Sequence, residues 1–526
     1  MPDGCSADIK IHSVHYLTND SFDAMPMFVR FWIKAANMKK LLVLPINQFN
    51  AAGIQKEVPF LCFTERGARA AFDKEILTSL LTALEKNSVP RGYYFNENGA
   101  VTLQDGRVCF VRGGELIGEC SFPYVISPSI SKMHLLGSDV DLSILSSVLL
   151  ASPPQVLLTF AYVILSSIRS VLVNSGIDFQ AVLYVIGKQG LGKTTLAKRI
   201  AGIYEQDKKP VGIIQAGSTH AATNAIMTSL RDQPVVIDDL CLSASRSTER
   251  KRIELASNLI RQGTGDVPII KKVGNSIENS TCAASLIMTA EFYLDNLSDL
   301  TRCILVPITN TLCIPDALTS SLVGGAVRHY SRWFTKQTDR KIEQLHGWLN
   351  TKLDISLDSR MSTNYACLGA SFHSFITSLP GYNQSSYLAD ELVKKMAAAV
   401  DLAIAVHKDM IGKVNENRPV GNLSFCILEG YRHGAFKLAK KLKKLKKRSG
   451  IIWKNDLCLK SEALVQFVRQ QPGYHDWTSN RITRALKDIN ALVLQEDSCN
   501  TVHLTKGTPR VYRIRLNVLG DTSEKY

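Results

Sequence analysis

The amino-acid sequence predicts a multidomain α/β protein. A core built on a parallel sheet is followed by helices, preceded by an α+β domain, and ends in a small helix-and-hairpin domain. Three observations predict this. Residues 181–310 alternate apolar strand patterns with helical ones, as βαβ units do. The run Ala181–Ile186 (AVLYVI) is continuously apolar, the pattern of a strand buried on both faces, and leads directly into a glycine-rich turn. Charge is concentrated at one end. The 526 residues hold 62 Lys and Arg against 47 Asp and Glu, and residues 431–526 alone hold 20 and 8, so most of the formal +15 lies in the last fifth. A locally basic domain points to a polyanionic partner.

Composition narrows the class. At 45% hydrophobic and 21% charged, the chain is of ordinary globular composition, which excludes a fibrous or wholly disordered protein. The twelve Cys are scattered with no CxxC pair, so zinc-ribbon, disulfide-scaffold and thioredoxin-like spacings are missing. That usage suits a reducing cytoplasm, and no secretory signal pattern opens the chain. Val156–Ile168 (VLLTFAYVILSSI) is uncharged but has 13 residues, short of the ~20 that a membrane span needs, and is expected as a buried helix.

Along the chain, residues 1–135 read as an α+β accessory domain. Short strands are expected at Leu41–Leu44 and Phe60–Phe63, a helix at Ala68–Leu84, and hairpins over Tyr93–Cys120 around NENG, QDG and RGGE. Residues 136–310 form the core with preceding helices. Residues 311–430 form a helical segment, with helices at Ala326–Lys336, Lys341–Leu349, Tyr365–Thr377 and Ser386–Val406. A basic linker (431–456) and a terminal domain (457–526) follow.

The strand Ala181–Ile186 runs into Gly187-Lys188-Gln189-Gly190-Leu191-Gly192-Lys193-Thr194, then Thr195 and a helical pattern. This is GxxxxGKT in its required strand–loop–helix context. Glycines let backbone N–H groups wrap phosphates, and the helix N-terminus adds partial positive charge. Gly187, Gln189, Gly190, Leu191, Gly192, Lys193, Thr194 and Thr195 are therefore expected to bind ATP. Lys193 would reach the β- and γ-phosphates, and Thr194 would ligate Mg²⁺. Pro234–Asp239 (PVVIDD) is an apolar strand ending in two carboxylates, 45 residues beyond Lys193. Asp238 is expected at the Mg²⁺ and Asp239 at the attacking water, because hydrolysis needs both roles. A third strand, Ala284–Met288, ends at Thr289, placed to bond the attacking water or the γ-phosphate. Arg302, before the strand Cys303–Val306, stands where a neighbouring subunit could receive a cation.

Phosphate loop, double-acid strand, polar strand tip, arginine and helical segment together resemble an AAA+ ATPase. Gly217–Pro234 before the acidic strand, and Ser359–Ala366 opening a helix, make the chain similar to the MCM-like replicative helicases of staphylococcal cassette chromosomes and related prophage and mobile-element ATPases. The resemblance spans roughly residues 136–517. It implies a helical lid with Arg360 as the sensor arginine at the γ-phosphate, and a ring with active sites between subunits. The family often has Glu and Asn where this chain has Asp239 and Thr289.

Val267–Val273, Gly274-Asn275 and Ser276–Ala283 read as a β-hairpin. In related ring helicases a hairpin here enters the pore, where Lys271 and Lys272 would grip strand phosphates. Lys437–Arg448 has eight basic residues in twelve, with leucines at 438, 442 and 445 forming one stripe if helical. Helices from Ser461 and from Thr478, then strands Leu492–Gln495 and Arg510–Leu516, look like a winged helix presenting Arg481, Arg484 and Lys487 to DNA.

The leading expectation is a hexameric, ATP-driven DNA helicase in mobile-element replication. It would hold single-stranded DNA in the pore and duplex or fork DNA at the winged helix, work in the cytoplasm at the nucleoid with replication-initiation proteins, and have no membrane partner. The alternatives are a helicase loader or initiator, and an ATP-gated DNA-binding regulator of transposition or transcription.

Overall fold

The structure is a computed structural model. It describes residues 7–17, 22, 25–35, 38–59, 61–138, 142–241, 246–265, 268–273, 276–294, 296–352, 357–380, 386–416, 423–471, 474, 477–488, 490–493, 501–505 and 508–521. The chain divides into two compact units, Met1–His407 and Lys408–Tyr526.

The first unit opens with a five-stranded sheet in the order Met38–Pro45, Phe28–Ala35, Ala7–Tyr16, Arg91–Phe95, Tyr124–Ile126. The first three strands are antiparallel, and the last two join in parallel. Helix Ala68–Glu85 contributes Phe72, Ile76 and Leu80 to the same core as Val14, Val29 and Phe31, four residues apart as one helical face requires. The hairpin chemistry of Tyr93–Cys120 yields a three-stranded antiparallel sheet, Gly99–Thr102, Val108–Arg112 and Glu115–Ile117. The short strand expected at Phe60–Phe63 does not form. Phe60 lies outside the described residues, and Leu61 donates its N–H to the Val58 carbonyl (3.0 Å), closing a turn that buries its side chain.

The central sheet is wholly parallel, in the order Ile213–Gln215, Pro234–Leu240, Ser285–Ala290, Val182–Gly187, Cys303–Ile308. Its middle strands are buried along nearly their whole length, which explains their continuous apolar runs. Helix Pro154–Ser167 packs against this sheet, buried from Val156 onward. Its Tyr162 hydroxyl donates to the carbonyls of Ala181 (2.9 Å) and Leu286 (3.0 Å), tying two adjacent strands. Among the described residues no helix is long and apolar enough to cross a membrane. Helices Ser320–Phe334, Thr338–Lys352, Ser359–Ser378 and Ser386–Glu416 follow.

In the second unit, helix Leu423–Arg432 precedes a five-stranded sheet. The order is Leu438–Ala439, Gly450–Trp453, Asp456–Leu459, Arg510–Arg515, Val502–His503. Residues 431–456, read as a basic linker, thus carry sheet strands. Lys437–Arg448 is not an α-helix: a two-residue strand is followed by a 3₁₀ segment at Leu442–Lys447. Pairing of Leu438–Ala439 with Gly450–Ile451, and burial of Leu445, hold this conformation. Helix Ser461–Arg469 has no side-chain cap: Lys460 stands at the N-cap, and Ser461 is the first helical residue, its hydroxyl donating to the Tyr512 hydroxyl (3.3 Å). Helix Ser479–Asp488 follows. Leu492 bridges Ile514, while Gln495 lies outside the described residues.

Candidate nucleotide site and nucleic-acid surfaces

The glycine-rich loop sits at the C-terminal end of the strand Val182–Gly187 and leads into helix Lys193–Ala201. Gly190 (φ +80°) and Gly192 (φ +96°) occupy the left-handed region, where a side chain would be strained. The Lys193 ammonium lies within the loop and donates to the carbonyls of Gly187 and Lys188, each at 2.7 Å. Leu191 anchors the loop from outside: its carbonyl accepts the Leu312 N–H (3.1 Å).

Asp238 is the centre of the site. Its Oδ1 accepts the hydroxyls of Thr194 (2.8 Å) and Thr289 (2.7 Å), and its Oδ2 faces the Lys198 ammonium at 3.2 Å. Burial pushes this carboxyl's pKa up, but the bonds from Thr289, Thr194 and Lys198 outweigh it and hold the pKa below its ordinary value. The strand order explains the contact. The Thr289 strand lies between the loop strand and the acidic strand, so its tip falls beside both. Thr289 is buried, and its hydroxyl also accepts the Asp239 N–H (3.0 Å). It therefore holds the two acids in place, rather than standing free for the water or γ-phosphate role expected of it. At Asp239 the strand pairing shifts register and φ is +72°, which turns this exposed side chain out of the ladder.

A cleft of about 310 Å³ is lined by Gln189, Gly190, Gly192, Lys193, Thr194, Thr195, Asp239, Leu240, Thr289 and Glu291. Glu291 was not singled out in the sequence, where only its place two residues beyond Thr289 could have marked it. Its backbone N–H bonds the Leu240 carbonyl (3.0 Å), fixing it beside Asp239 across two adjacent strands. The donors fit the expected ligands: hard oxygens of Thr194 and Asp238 suit Mg²⁺, and a glycine loop at a helix N-terminus suits a polyphosphate. A larger cleft, about 1120 Å³, opens at the other end of the sheet around Asn98, Ser170, Asp178 and Ser229, away from the glycine-rich loop.

Arg302 and Arg360 are not at this site. The Arg302 carbonyl accepts the Val182 N–H (2.9 Å) at the start of the loop strand. Six residues of strand, about 20 Å, separate it from the glycine turn. Its guanidinium bonds the Ser298 carbonyl and hydroxyl. Asn364, one helical turn beyond Arg360, bonds the backbone of Gln180 through both amide atoms (3.1 and 3.0 Å). The start of that helix therefore also lies at the far end of the sheet. Arg360 does not line the cleft, so the expected γ-phosphate contact is not made within this chain.

The expected hairpin is present: Ile269–Val273 pairs antiparallel with Ser276–Ser280, with Lys271 opposite Glu278 and Lys272 opposite Ile277. Gly274 and Asn275 lie outside the described residues. In the second unit, helix Ser479–Asp488 buries Ile482 and Leu486 and exposes Arg481 and Arg484, with Lys487 half-buried. The Arg481 guanidinium stacks over the Trp477 ring, 4.5 Å from its centre.

No family model matches the chain, and no curated protein matches it. Solved structures do. Two JCV helicase structures with bound inhibitory or drug-like compounds match at 14% and 12% identity. They cover 50% and 41% of this chain and 65% of each of theirs, with TM-scores of 0.20 and 0.23, too low to bear on fold. The structure described as "SCCmec type IV Cch - active helicase" matches with a TM-score of 0.55 at 14% identity, over 97% of this chain and 94% of that one. Across nearly its whole length, the chain resembles in fold the staphylococcal cassette chromosome helicase Cch.

Proposed function

We propose that the protein is an ATP-dependent DNA translocase and helicase, working as a hexameric ring in replication of a mobile genetic element. The observation that carries this is the Asp238 carboxylate, held between the Thr194 and Thr289 hydroxyls beside the glycine loop. That constellation binds and orients a nucleoside triphosphate. The loop N–H groups and the Lys193 ammonium would take the phosphates. Thr194 and Asp238 would hold Mg²⁺, which neutralises phosphate charge when bound. Asp239, turned into the cleft by its left-handed backbone, would accept the proton of the attacking water, with Glu291 the second carboxylate in reach. Arg302 and Arg360, remote from their own cleft, would serve the neighbouring subunit's, which is why a ring is proposed. The hairpin Lys271 and Lys272 would engage single-stranded DNA in the pore. Arg481, Arg484 and Lys487, on the second helix of a winged-helix domain, would engage duplex or fork DNA. Such a motor would work on cytoplasmic, nucleoid DNA alongside replication-initiation proteins.

The decisive experiment mixes two inactive variants. Lys193→Ala removes phosphate binding and Arg302→Ala removes the donated cation, and each alone should lose at least ~10²-fold in ATP turnover. Mixed, they should regain part of the activity, because some interfaces then join an intact Lys193 site to an intact Arg302. No recovery, in a mixture shown to co-assemble, would refute the shared site. Wild-type protein that hydrolyses ATP on forked DNA without displacing a strand would refute the helicase reading.

A further inference from the structure

The C-terminal sheet has a core on each face. Leu457, Leu459, Tyr512 and Ile514 pack with Ile482 and Leu486 of helix Ser479–Asp488. Their strand neighbours Cys458 and Val511 instead pack with Ala439, Leu445 and Val502. Alternate residues of a strand point to opposite faces, so the 3₁₀ segment Leu442–Lys447, which follows the edge strand Leu438–Ala439, and helix Ser479–Asp488 cover opposite sides of one sheet. The stretch 437–448 is a strap: Leu445 is its buried peg, and Lys437, Lys440, Lys441, Lys443, Lys444, Lys446, Lys447 and Arg448 are all exposed. Among the described residues none of the eight lies in an ion pair. Asp456, on the third strand of the sheet, is taken by Arg513 (2.6 Å). Lys460 adds a ninth cation, its ammonium bonding the Lys446 carbonyl (2.7 Å). In a 3₁₀ turn, side chains three apart eclipse, so Lys443 and Lys446, and Lys444 and Lys447, stack like charge on like. Such crowding opposes folding and is relieved by a polyanion.

We propose that this strap is a second phosphate-backbone surface, and that the domain bridges two DNA segments, one on the strap and one on helix Ser479–Asp488. The two surfaces face away from each other across a sheet and a helix, roughly 20 Å of protein. A single short duplex cannot lie on both. The strap reads no sequence, because its cations are mobile lysines with no planar donor fork apart from Arg448. Leu445 is buried, Leu442 packs with it, and Leu438 packs on the other face of the sheet, so no apolar face is left for insertion into lipid. The bridging half rests on the DNA reading of the helix cations proposed above.

The test uses the full chain without nucleotide. One duplex is fixed to beads, a second labelled duplex is added, and capture of the second is measured alongside affinity for one duplex over a range of salt. The variant Lys443→Glu/Lys444→Glu/Lys446→Glu/Lys447→Glu should melt at or above the wild-type temperature, lose at least ~10-fold in capture, and show a salt slope reduced by about 2–3. The Lys→Gln set should fall between it and wild type. Arg481→Ala/Arg484→Ala should also lose capture while retaining the strap's salt-dependent binding. Unchanged capture and slope in the glutamate variant would overturn the strap. So would loss of phosphatidylserine-vesicle binding in place of DNA binding. Wild-type ATP turnover and strand displacement, measured separately, report on the helicase reading whatever the strap does.

Discussion

At the scale of single residues, the site depends on hydroxyls as much as on acids. Thr289 donates to Asp238 and accepts from the Asp239 backbone, so one side chain sets both carboxylates. Thr289→Val keeps the shape and removes both bonds. It should raise the Mg²⁺ concentration needed for half-maximal ATP turnover, because Asp238 loses one of the two hydroxyls that orient its carboxylate. Asp239→Asn and Glu291→Gln, compared for single-turnover hydrolysis, should separate the base from its neighbour. The first is expected to lose ~10²-fold or more, the second less. Elsewhere His407 is fully buried against the Tyr365 hydroxyl (3.1 Å), and burial lowers its pKa to about 4. The unfolded chain takes up that proton near pH 6.5 and the native one only near 4. Its contribution to stability is therefore complete above 6.5 and lost as pH falls between the two, by about 3 kcal/mol. Denaturant titrations at pH 7.5 and 5 should show about 2 kcal/mol of this, with a smaller difference in His407→Gln. The residue types at the glycine loop and acidic strand were legible because a phosphate loop needs them in sequence order. Glu291 was marked only by its place two residues beyond Thr289, which a surface glutamate could equally occupy.

At the scale of elements, periodicity placed the parallel strands and the helices that follow them, since burial on both faces leaves an unbroken apolar run. The hairpin Ile269–Val273/Ser276–Ser280 was legible from its turn residues. Lys271→Ala/Lys272→Ala should leave DNA-independent ATP turnover near wild type and abolish strand displacement in a forked-substrate assay. Retained displacement would remove the hairpin from the DNA path. Elements were misread where tertiary pairing overrode local pattern. Three leucines at helical spacing in 437–448 suggested a helix, but a two-residue strand and one buried leucine impose a 3₁₀ strap. Eight like charges in twelve residues weaken any helix, so a small tertiary gain decides the outcome.

At the scale of the whole first unit, a buried polar knot joins the three-stranded antiparallel sheet to the parallel one. Arg112 is fully buried and donates to the carbonyls of Asp232 (2.8 Å) and Ser167. The Asp232 carboxylate accepts the N–H groups of Ala100 and Ser170, each at 2.7 Å, and its own φ is +55°. Asp232→Ala should cost about 3–5 kcal/mol in chemical denaturation, because it strands these donors beside a buried guanidinium. Gly99, at φ +106°, meets the same carboxylate: a Cβ there would lie 2.7 Å from Asp232 Oδ2.

The sequence by itself determined the glycine-rich loop between strand and helix, the acidic strand, the order of most strands and helices and the basic C-terminal end. Each is written in local spacing, a backbone-level demand that neighbouring residues meet. Only the tertiary structure decided that Thr289 holds both acids, that Glu291 lines the cleft, that Arg302 and Arg360 stand at the far end of the sheet, and that the basic 3₁₀ segment and helix Ser479–Asp488 lie on opposite faces. Those facts depend on which strands become neighbours and on which face each residue lands. Sheet order and register are set by packing between segments tens of residues apart, and no local pattern encodes them.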